Sequence, residues 1–336
     1  MAESIKSGSN RHLDTVLSTR VRLARNIDGV PFPVRLNSVE KQSINIKICE
    51  ILSLSEQKLQ AIEMSSLYPY EAISLAERHL ISPEFASMSE GRVLLLSEDE
   101  KISIMLCEKD HVRIQGFEEG LDLENAYKNA EVYDEILDSS LHFAFDPKLG
   151  YLNQNPKDIG TGMKASVMMH LPALSRTGAM TKLSATSMKL GFNIRGSYGD
   201  AASVKGDIFR ISNSVTMGIS EEEALENLKT LVLQIATKER AAAEKFVTDI
   251  NIKDRINRSV GLLQNAVLLS SDEMMELLSW VRLGALYGIV EADPHTIAKL
   301  FTAMQPATIN VLAKQKLPES VRDEIRAKTV KQALKS

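Results

Sequence analysis

The sequence predicts an α+β fold: an antiparallel β-sheet flanked by helices over residues 1–248, then a small all-helical C-terminal domain over 249–336. Three observations predict it. RVLLLS (92–97), ISIMLC (102–107) and DHVRIQGF (110–117) are apolar runs of strand length with short polar breaks, the pattern of an antiparallel meander. TVLSTRVRLARN, from Thr15, alternates as a strand does, with Arg20 and Arg22 on one face and Val21 and Leu23 on the other. Beyond about residue 250 the pattern turns to helices alone.

The remaining elements follow in order. Residues 38–62 and 69–80 read as helices, and LDLENAYKNAEVYDEILDSSL (121–141) has helical period. A Gly/Asn/Pro-rich loop, YLNQNPKDIGTGMK (151–164), precedes the apolar strand ASVMMHLPAL. GFNIRGSYGDAASVKGDIFRISN reads as strand, Gly-rich loop, strand, and the loop is expected to move. Residues 220–247 give a helix with a Ser220/Glu223 capping box and a stripe of Leu225, Leu228, Leu231, Val232 and Ile235. Ser270 with Glu273, and Asp293 followed by Pro294, start two later helices. The last helix covers 321–334, and a domain boundary falls near 248–254.

Composition narrows the function classes. Apolar residues make up 44% and charged residues 25% of 336, an ordinary globular balance. The net charge of −4 points to neither nucleic acid nor membrane, so local Arg clusters must carry any anion binding. Cys49 and Cys107 lie far apart without a metal-spaced partner, so neither a disulfide framework nor structural zinc is expected. The polar start MAESIKSGSNRHLD has no apolar signal region, and no stretch reaches 18 apolar residues. A cytoplasmic protein is expected.

The chemistry lies in arginines on strands. Arg20, Arg22, Arg113 and Arg195 sit in otherwise apolar, strand-like surroundings. A half-buried sheet rarely places two Arg on one face unless an anion lies there, because planar guanidinium groups fork onto phosphate oxygens. A converging set would hold a triphosphate and neutralise charge during phosphoryl transfer. A solvated sheet face is the alternative, since spacing alone does not show convergence.

Four segments carry a resemblance. LSTRVRLARNIDGVPFP, EKDHVRIQ, LGYLNQNPKDIGTGMKASVMMHLPAL and IRGSYGDAASVKGDIFRISN closely resemble, in order, four motifs of the phosphagen kinases, the ATP:guanido phosphotransferases. Within that superfamily the chain resembles the bacterial protein-arginine kinases (the McsB family). Arg20 follows the start almost directly, and Arg322-Asp323-Glu324-Ile325-Arg326-Ala327 looks like their phosphoarginine-binding Arg-Asp-x-x-Arg-Ala motif. The resemblance implies a phosphagen-kinase-like catalytic domain, ATP with Mg2+, and phosphorylation of arginine side chains in proteins. Arg20, Arg22, Arg113 and Arg195 match the nucleotide-phosphate ligands, Lys164 falls at a fifth Arg, and Arg322, Asp323 and Arg326 match the phosphoarginine site. No metal-ligating residue is implied. His170 reads as structural. The implied partners are arginine-bearing proteins including stress-response repressors, a zinc-finger activator and the Clp protease machinery, with a homodimer joined through the C-terminal helices. Met274, Met275, Leu277, Leu278, Trp280, Val281 and Leu283 would serve such an interface or an internal core.

The pattern departs from the family where the guanidinium substrate is handled. Arginine's pKa is too high for a neutral nucleophile, so carboxylates must orient the group and take its proton. The family uses two Glu and a Cys. Here Lys109 stands at one Glu, Asp200 at the other and Asn155 at the Cys. Asp200 keeps a carboxylate, Asn155 supplies no anion, and Lys109 puts a cation where a cationic substrate should bind. Strand alternation would turn Glu108 away from the face that Lys109 occupies, unless a bulge restores it. Two functions follow: an active protein-arginine kinase with Asp200, aided by Glu108, as base, or a catalytically weakened relative that binds nucleotide or phosphoarginine as a regulator or adaptor. Phosphorylation of another small acceptor is a third.

Overall fold

The computed structural model describes residues 11–53, 58–198 and 204–335. Its strands are β1 (Val16–Arg25), β2 (Leu59–Glu63), β3 (Val93–Ser97), β4 (Ile102–Leu106), β5 (Val112–Glu119), the short pair β6 (Phe145–Asp146) and β7 (Gly150–Tyr151), β8 (Met163–His170), β9 (Phe192–Gly196) and β10 (Ile208–Asn213). The helices are α1 (Ser38–Leu52), α2 (Pro69–Glu77), α3 (Pro83–Ser87), α4 (Leu123–Leu141), α5 (Pro172–Arg176), α6 (Ala179–Lys189) and α7 (Glu221–Phe246). They are followed by α8 (Ile250–Asn265), α9 (Ser271–Leu286), α10 (Pro294–Ala303), α11 (Pro306–Leu312) and α12 (Glu319–Ala333).

Eight strands form one sheet in the order β2-β3-β4-β5-β1-β8-β10-β9, and every pairing is antiparallel. The expected meander is β3-β4-β5. The alternation in β1 decides the faces: Val21 and Leu23 are fully buried in a core shared with Ala126 and Ala130 of α4 and Leu228 and Val232 of α7. Gly116 of β5 lies on that side, where a Cβ would come within 2.1 Å of the Ala126 carbonyl oxygen, so only glycine lets α4 pack this closely. Arg20 and Arg22 therefore face the opposite side.

Two elements differ from expectation. The helix expected over 38–62 ends at Leu52, and Leu59–Glu63 instead pairs with β3 at the sheet edge. Edge pairing satisfies the polar backbone of β3, which outweighs a weak local helical preference. The strand expected to run through ASVMMHLPAL stops at His170, because Pro172 cannot donate to a ladder and begins α5. The free amides of Ala173 and Leu174 donate to the buried Glu239 carboxylate at 2.8 and 2.9 Å.

The helix starts follow their caps. Ser220 and Ser270 accept from the amides of Glu223 and Glu273, and Asp293 accepts from His295 and Thr296. In α9, Met274, Met275, Leu277, Leu278, Trp280, Val281 and Leu283 are all buried within the chain, so they form internal core and not a free interface. That core includes Ile208, while Leu17 and Met168 pack against it, so the helical module covers one end of the sheet's arginine face.

A buried guanidinium joins the parts. Arg282 of α9 donates to the carbonyls of Leu13, Asp14 and Pro294 and to Nδ1 of His170. His170 Nε2 then meets Ser279 Oγ at 2.9 Å, and Ser279 donates to Asp207 at 2.6 Å. With Nδ1 accepting, the His170 ring is neutral, and burial beside Arg282 holds its pKa well below the usual range. This is the structural role expected of it.

Candidate functional site

Directly paired residues of an antiparallel ladder share a face, so register places the site. Arg22 lies opposite Gln115 of β5 and Lys164 of β8, Arg20 opposite Phe117 and Ser166, and Ala24 opposite Arg113. Met168 lies opposite Arg210, and Arg210 opposite Arg195. Arg20, Arg22, Arg113, Lys164 and Arg195 thus all project from one face of the sheet. The structure brings together the nucleotide-phosphate candidates, from four segments far apart in sequence.

The face also carries Arg210, which sequence reasoning missed. The signal was present: Arg210 lies between Phe209 and Ile211 in a strand, the criterion that picked out the others.

Electrostatics divide the face. Arg20 is held well below the usual guanidinium pKa by burial, then by Arg210 and Arg22. Arg22 is lowered by burial and by Arg113, against the pull of Asp158. Burial, reinforced by Arg22, Arg20 and Arg195, brings Lys164 down to about 8. Nε of Arg20 and Nε of Arg22 are buried without a hydrogen-bond partner among the described residues. Buried donors of one sign, mutually repelling and unsatisfied, are the chemistry of an anion cradle. A polyphosphate therefore fits, with Arg20, Arg22, Lys164 and Arg195 available to hold it. Among the described residues no three His, Cys, Asp or Glu are grouped to hold a metal.

Arg113 sits at the other extreme. Its Nε and Nη2 donate to Asp110 at 3.0 and 2.9 Å, and Nη1 donates to Glu108. Burial opposes the charge, yet Glu108 and Asp110 outweigh it and raise the pKa. Asp110 also accepts from Asn26 and from the Gln154 amide. Asp158 stands between the two arginines, 3.4 Å from Arg22 and 3.9 Å from Arg113, and accepts from Asn155 at 3.1 Å. Asp158 was not anticipated; it lies three residues after Asn155 in the loop ahead of β8.

Of the guanidinium-handling positions, Glu108 and Asn155 both adjoin the Arg113–Asp158 pair. Residues 107–111 form the turn between β4 and β5, with Cys107 at φ 57°, so strand alternation does not govern Glu108 and Lys109, contrary to the sequence reading. Glu108 turns inward, where Arg113 and Ser82 both donate to it. Lys109 lies half exposed, with Nζ 4.0 Å from Glu84. Asn155 caps the following 3-10 turn. Asp200 lies outside the described residues.

In the helical module Arg326 is buried and donates to the carbonyls of Leu269 and Met304 and to Asp323. Arg322 donates to the Leu317 carbonyl, and its Nε has no partner among the described residues. Arg326 thus anchors α12, while Arg322 keeps donor capacity.

Known proteins resemble this chain over most of its length. Residues 41–242 match the family described as ATP:guanido phosphotransferase, C-terminal catalytic domain, and residues 249–336 match the protein-arginine kinase McsB C-terminal domain. The chain is 39% identical to the protein-arginine kinase of Halothermothrix orenii over 98% of its own length and 95% of that protein. It is 41% identical to that of Clostridium kluyveri, over 97% and 96%. Among solved structures, the duplicated taurocyamine kinase of Schistosoma mansoni with transition-state-analogue components superposes with a TM-score of 0.61 at 25% identity, covering 70% of this chain and 35% of that one. Lombricine kinase gives a TM-score of 0.59 at 22% identity, covering 68% and 67%, which shows the shared fold. The chain belongs to the ATP:guanido phosphotransferase family and, by its C-terminal helices, to the protein-arginine kinases within it.

Proposed function

We propose that the chain transfers the γ-phosphoryl group of ATP to arginine side chains of proteins. The observation that carries the reading is the gathering of Arg20, Arg22, Lys164 and Arg195 on one sheet face, two of them with unsatisfied buried donors. Relatives matched over nearly their whole length, and about two-fifths identical, are named for this activity.

ATP supplies the phosphoryl group and, with Mg2+, part of the charge balance. The chain supplies the cradle: Arg20, Arg22 and Lys164 on the neighbouring strands β1 and β8, and Arg195 on the edge strand β9. Arg113, fixed by Asp110 and Glu108, keeps its remaining donors in one orientation, and such preorganisation reduces reorganisation in the transition state. Asp200, with support from Glu108, takes the part of base and substrate orienter. Arg322, with Asp323, would receive phosphoarginine on the helical module. The product would serve as a degradation tag for a Clp-type protease in the cytoplasmic stress response, with a zinc-finger activator and a second copy of the chain as partners.

Incubation with Mg-ATP and an arginine-rich protein, followed by assay for acid-labile phosphate, tests the activity. Signal on the acceptor that vanishes in Arg22→Ala supports it. Absence of signal with or without a zinc-finger activator, alongside intact phosphoarginine binding, would replace it with the regulator or adaptor reading.

A further inference from the structure

On the face of the sheet opposite the arginine cradle, a groove of about 400 Å³ runs between α1 and the edge strand β2. Asn45, Ile46 and Glu50 of α1 line one side and Ala61 and Glu63 of β2 the other, with Arg92, just ahead of β3, between them. β2 ends the sheet, and β3 is its one ladder partner among the described residues. The Met64 amide donates to the Arg92 carbonyl at 3.0 Å, and bonded pairs alternate along an antiparallel ladder. Gln60 and Ile62 therefore bond inward to β3, while the backbone groups of Ala61 and Glu63 point out of the sheet edge. Gln60, Ala61 and Glu63 are all exposed. An open edge of this kind is a template for one more strand.

The groove calls for donors. Glu50 and Glu63 are exposed carboxylates on its two sides. The one lining cation among the described residues, Arg92, is buried and turns Nη1 onto the carbonyls of Glu84, Phe85 and Met88. Asn45, 4% exposed, spends its Nδ2 on the Gly91 carbonyl at 3.1 Å, and its buried Oδ1 has no hydrogen-bond partner among the described residues. Two carboxylates and a bare amide oxygen suit a cation with several N–H groups, and guanidinium has the most.

The groove also opens near the acceptor end of the sheet. Val93 pairs with Leu106, just ahead of the turn that carries Glu108 and Lys109. Lys109 Nζ lies 4.0 Å from Glu84 of α3, the helix to which Arg92 is tied. Two strand spacings separate β2 from β4, roughly 10 Å, or about three residues of extended chain.

We propose that the α1–β2 groove docks the acceptor protein: an extended segment next to the arginine to be phosphorylated adds to the edge of β2 and lays a second arginine between Glu50 and Glu63. This rests on the kinase reading and extends it from the reacting arginine to the chain around it. Preference for protein over free arginine then comes from a surface that touches neither nucleotide nor reacting atoms.

The test compares the full chain with Glu50→Lys, Glu63→Lys and Ala61→Pro. The two glutamates are exposed, and proline at 61 removes an outward amide and keeps the ladder to β3; thermal melts confirm folding. One measurement is the anisotropy of a labelled peptide of about ten residues alternating valine and arginine, without nucleotide. The other is phosphorylation of an arginine-rich protein and of free arginine. Each variant should bind the peptide about tenfold more weakly. KM for the protein should rise about tenfold, while kcat, KM for ATP and any rate on free arginine stay within about twofold. Peptide affinity within about twofold of the parent in all three variants overturns the groove. Unchanged peptide affinity with an altered sedimentation coefficient in Glu63→Lys assigns the edge to a second copy of the chain, and also overturns acceptor docking. If no form of the chain phosphorylates any acceptor, the kinase reading fails, and the peptide titration still decides whether the groove takes arginine-bearing segments. Equal phosphorylation and equal peptide binding by every form sink only the groove.

Discussion

Arg113 commits two of its nitrogens to a single oxygen of Asp110, at 3.0 and 2.9 Å, in a site where both side chains are almost wholly buried. Glu108 is equally buried against the same guanidinium. Arg113→Ala should therefore cost about 3–5 kcal/mol of folding stability, because it strands two carboxylates without a counter-charge. Urea denaturation of both proteins checks this, and a loss below about 1 kcal/mol would contradict the pairing.

Asp158 puts a carboxylate between Arg22 and Arg113, where an incoming phosphate needs those same donors. Asp158→Asn keeps an acceptor for Asn155 and removes the charge. ATP affinity should rise by on the order of 1–2 kcal/mol, roughly fivefold to thirtyfold. Titration calorimetry at fixed ionic strength reads it; an unchanged or weakened affinity refutes the competition.

Lys164 makes nucleotide binding sensitive to alkali. Its pKa in the folded chain, about 8, lies below the ordinary 10.5, so it is charged at pH 7 and discharges as pH passes 8. Affinity for ATP should fall above that point, by at most about tenfold per pH unit since one proton is coupled. Arg at this position stays charged, so Lys164→Arg should flatten the profile between pH 7 and 9.5. The sign for stability is the reverse: the folded form, relieved of a buried charge, gains as pH climbs from about 8 towards 10.5.

Lys109→Glu restores a carboxylate on the turn beside the cradle. Kinase activity on an arginine-rich protein should increase by about tenfold or more. Flat activity would mean that this half-exposed side chain does not reach the acceptor.

Arg326 and Arg322 should separate by stability. Truncating Arg326 leaves the Leu269 and Met304 carbonyls and Asp323 unsatisfied, at a cost of about 2–4 kcal/mol. Arg322→Ala should melt within about 1 kcal/mol of the parent while losing phosphoarginine binding.

The sequence carried the fold well where period decides it. β1 shows its two faces in Val21 and Leu23 against Arg20 and Arg22, and α7 shows its stripe and cap. It failed where distant partners decide. Nothing within residues 58–63 announces that the edge of β3 waits 30 residues on, and the Ala173 and Leu174 amides in the first turn of α5 are satisfied by Glu239, far along the chain. The site divides in the same way. Arginines on strands, Arg210 among them, were visible singly, while their common face follows only from the pairing register of β5, β1, β8, β10 and β9. Glu108 was misjudged because a turn, opened by the left-handed backbone at Cys107, stands where strand alternation was assumed.

Arg282 closes the account of how the chain holds together. One guanidinium fastens the segment ahead of β1, the last residue of β8 and the start of α10. Neither the sheet nor the helical bundle can then melt without uncovering polar groups of the other. Heating should give a single calorimetric endotherm, and Arg282→Met should split it in two.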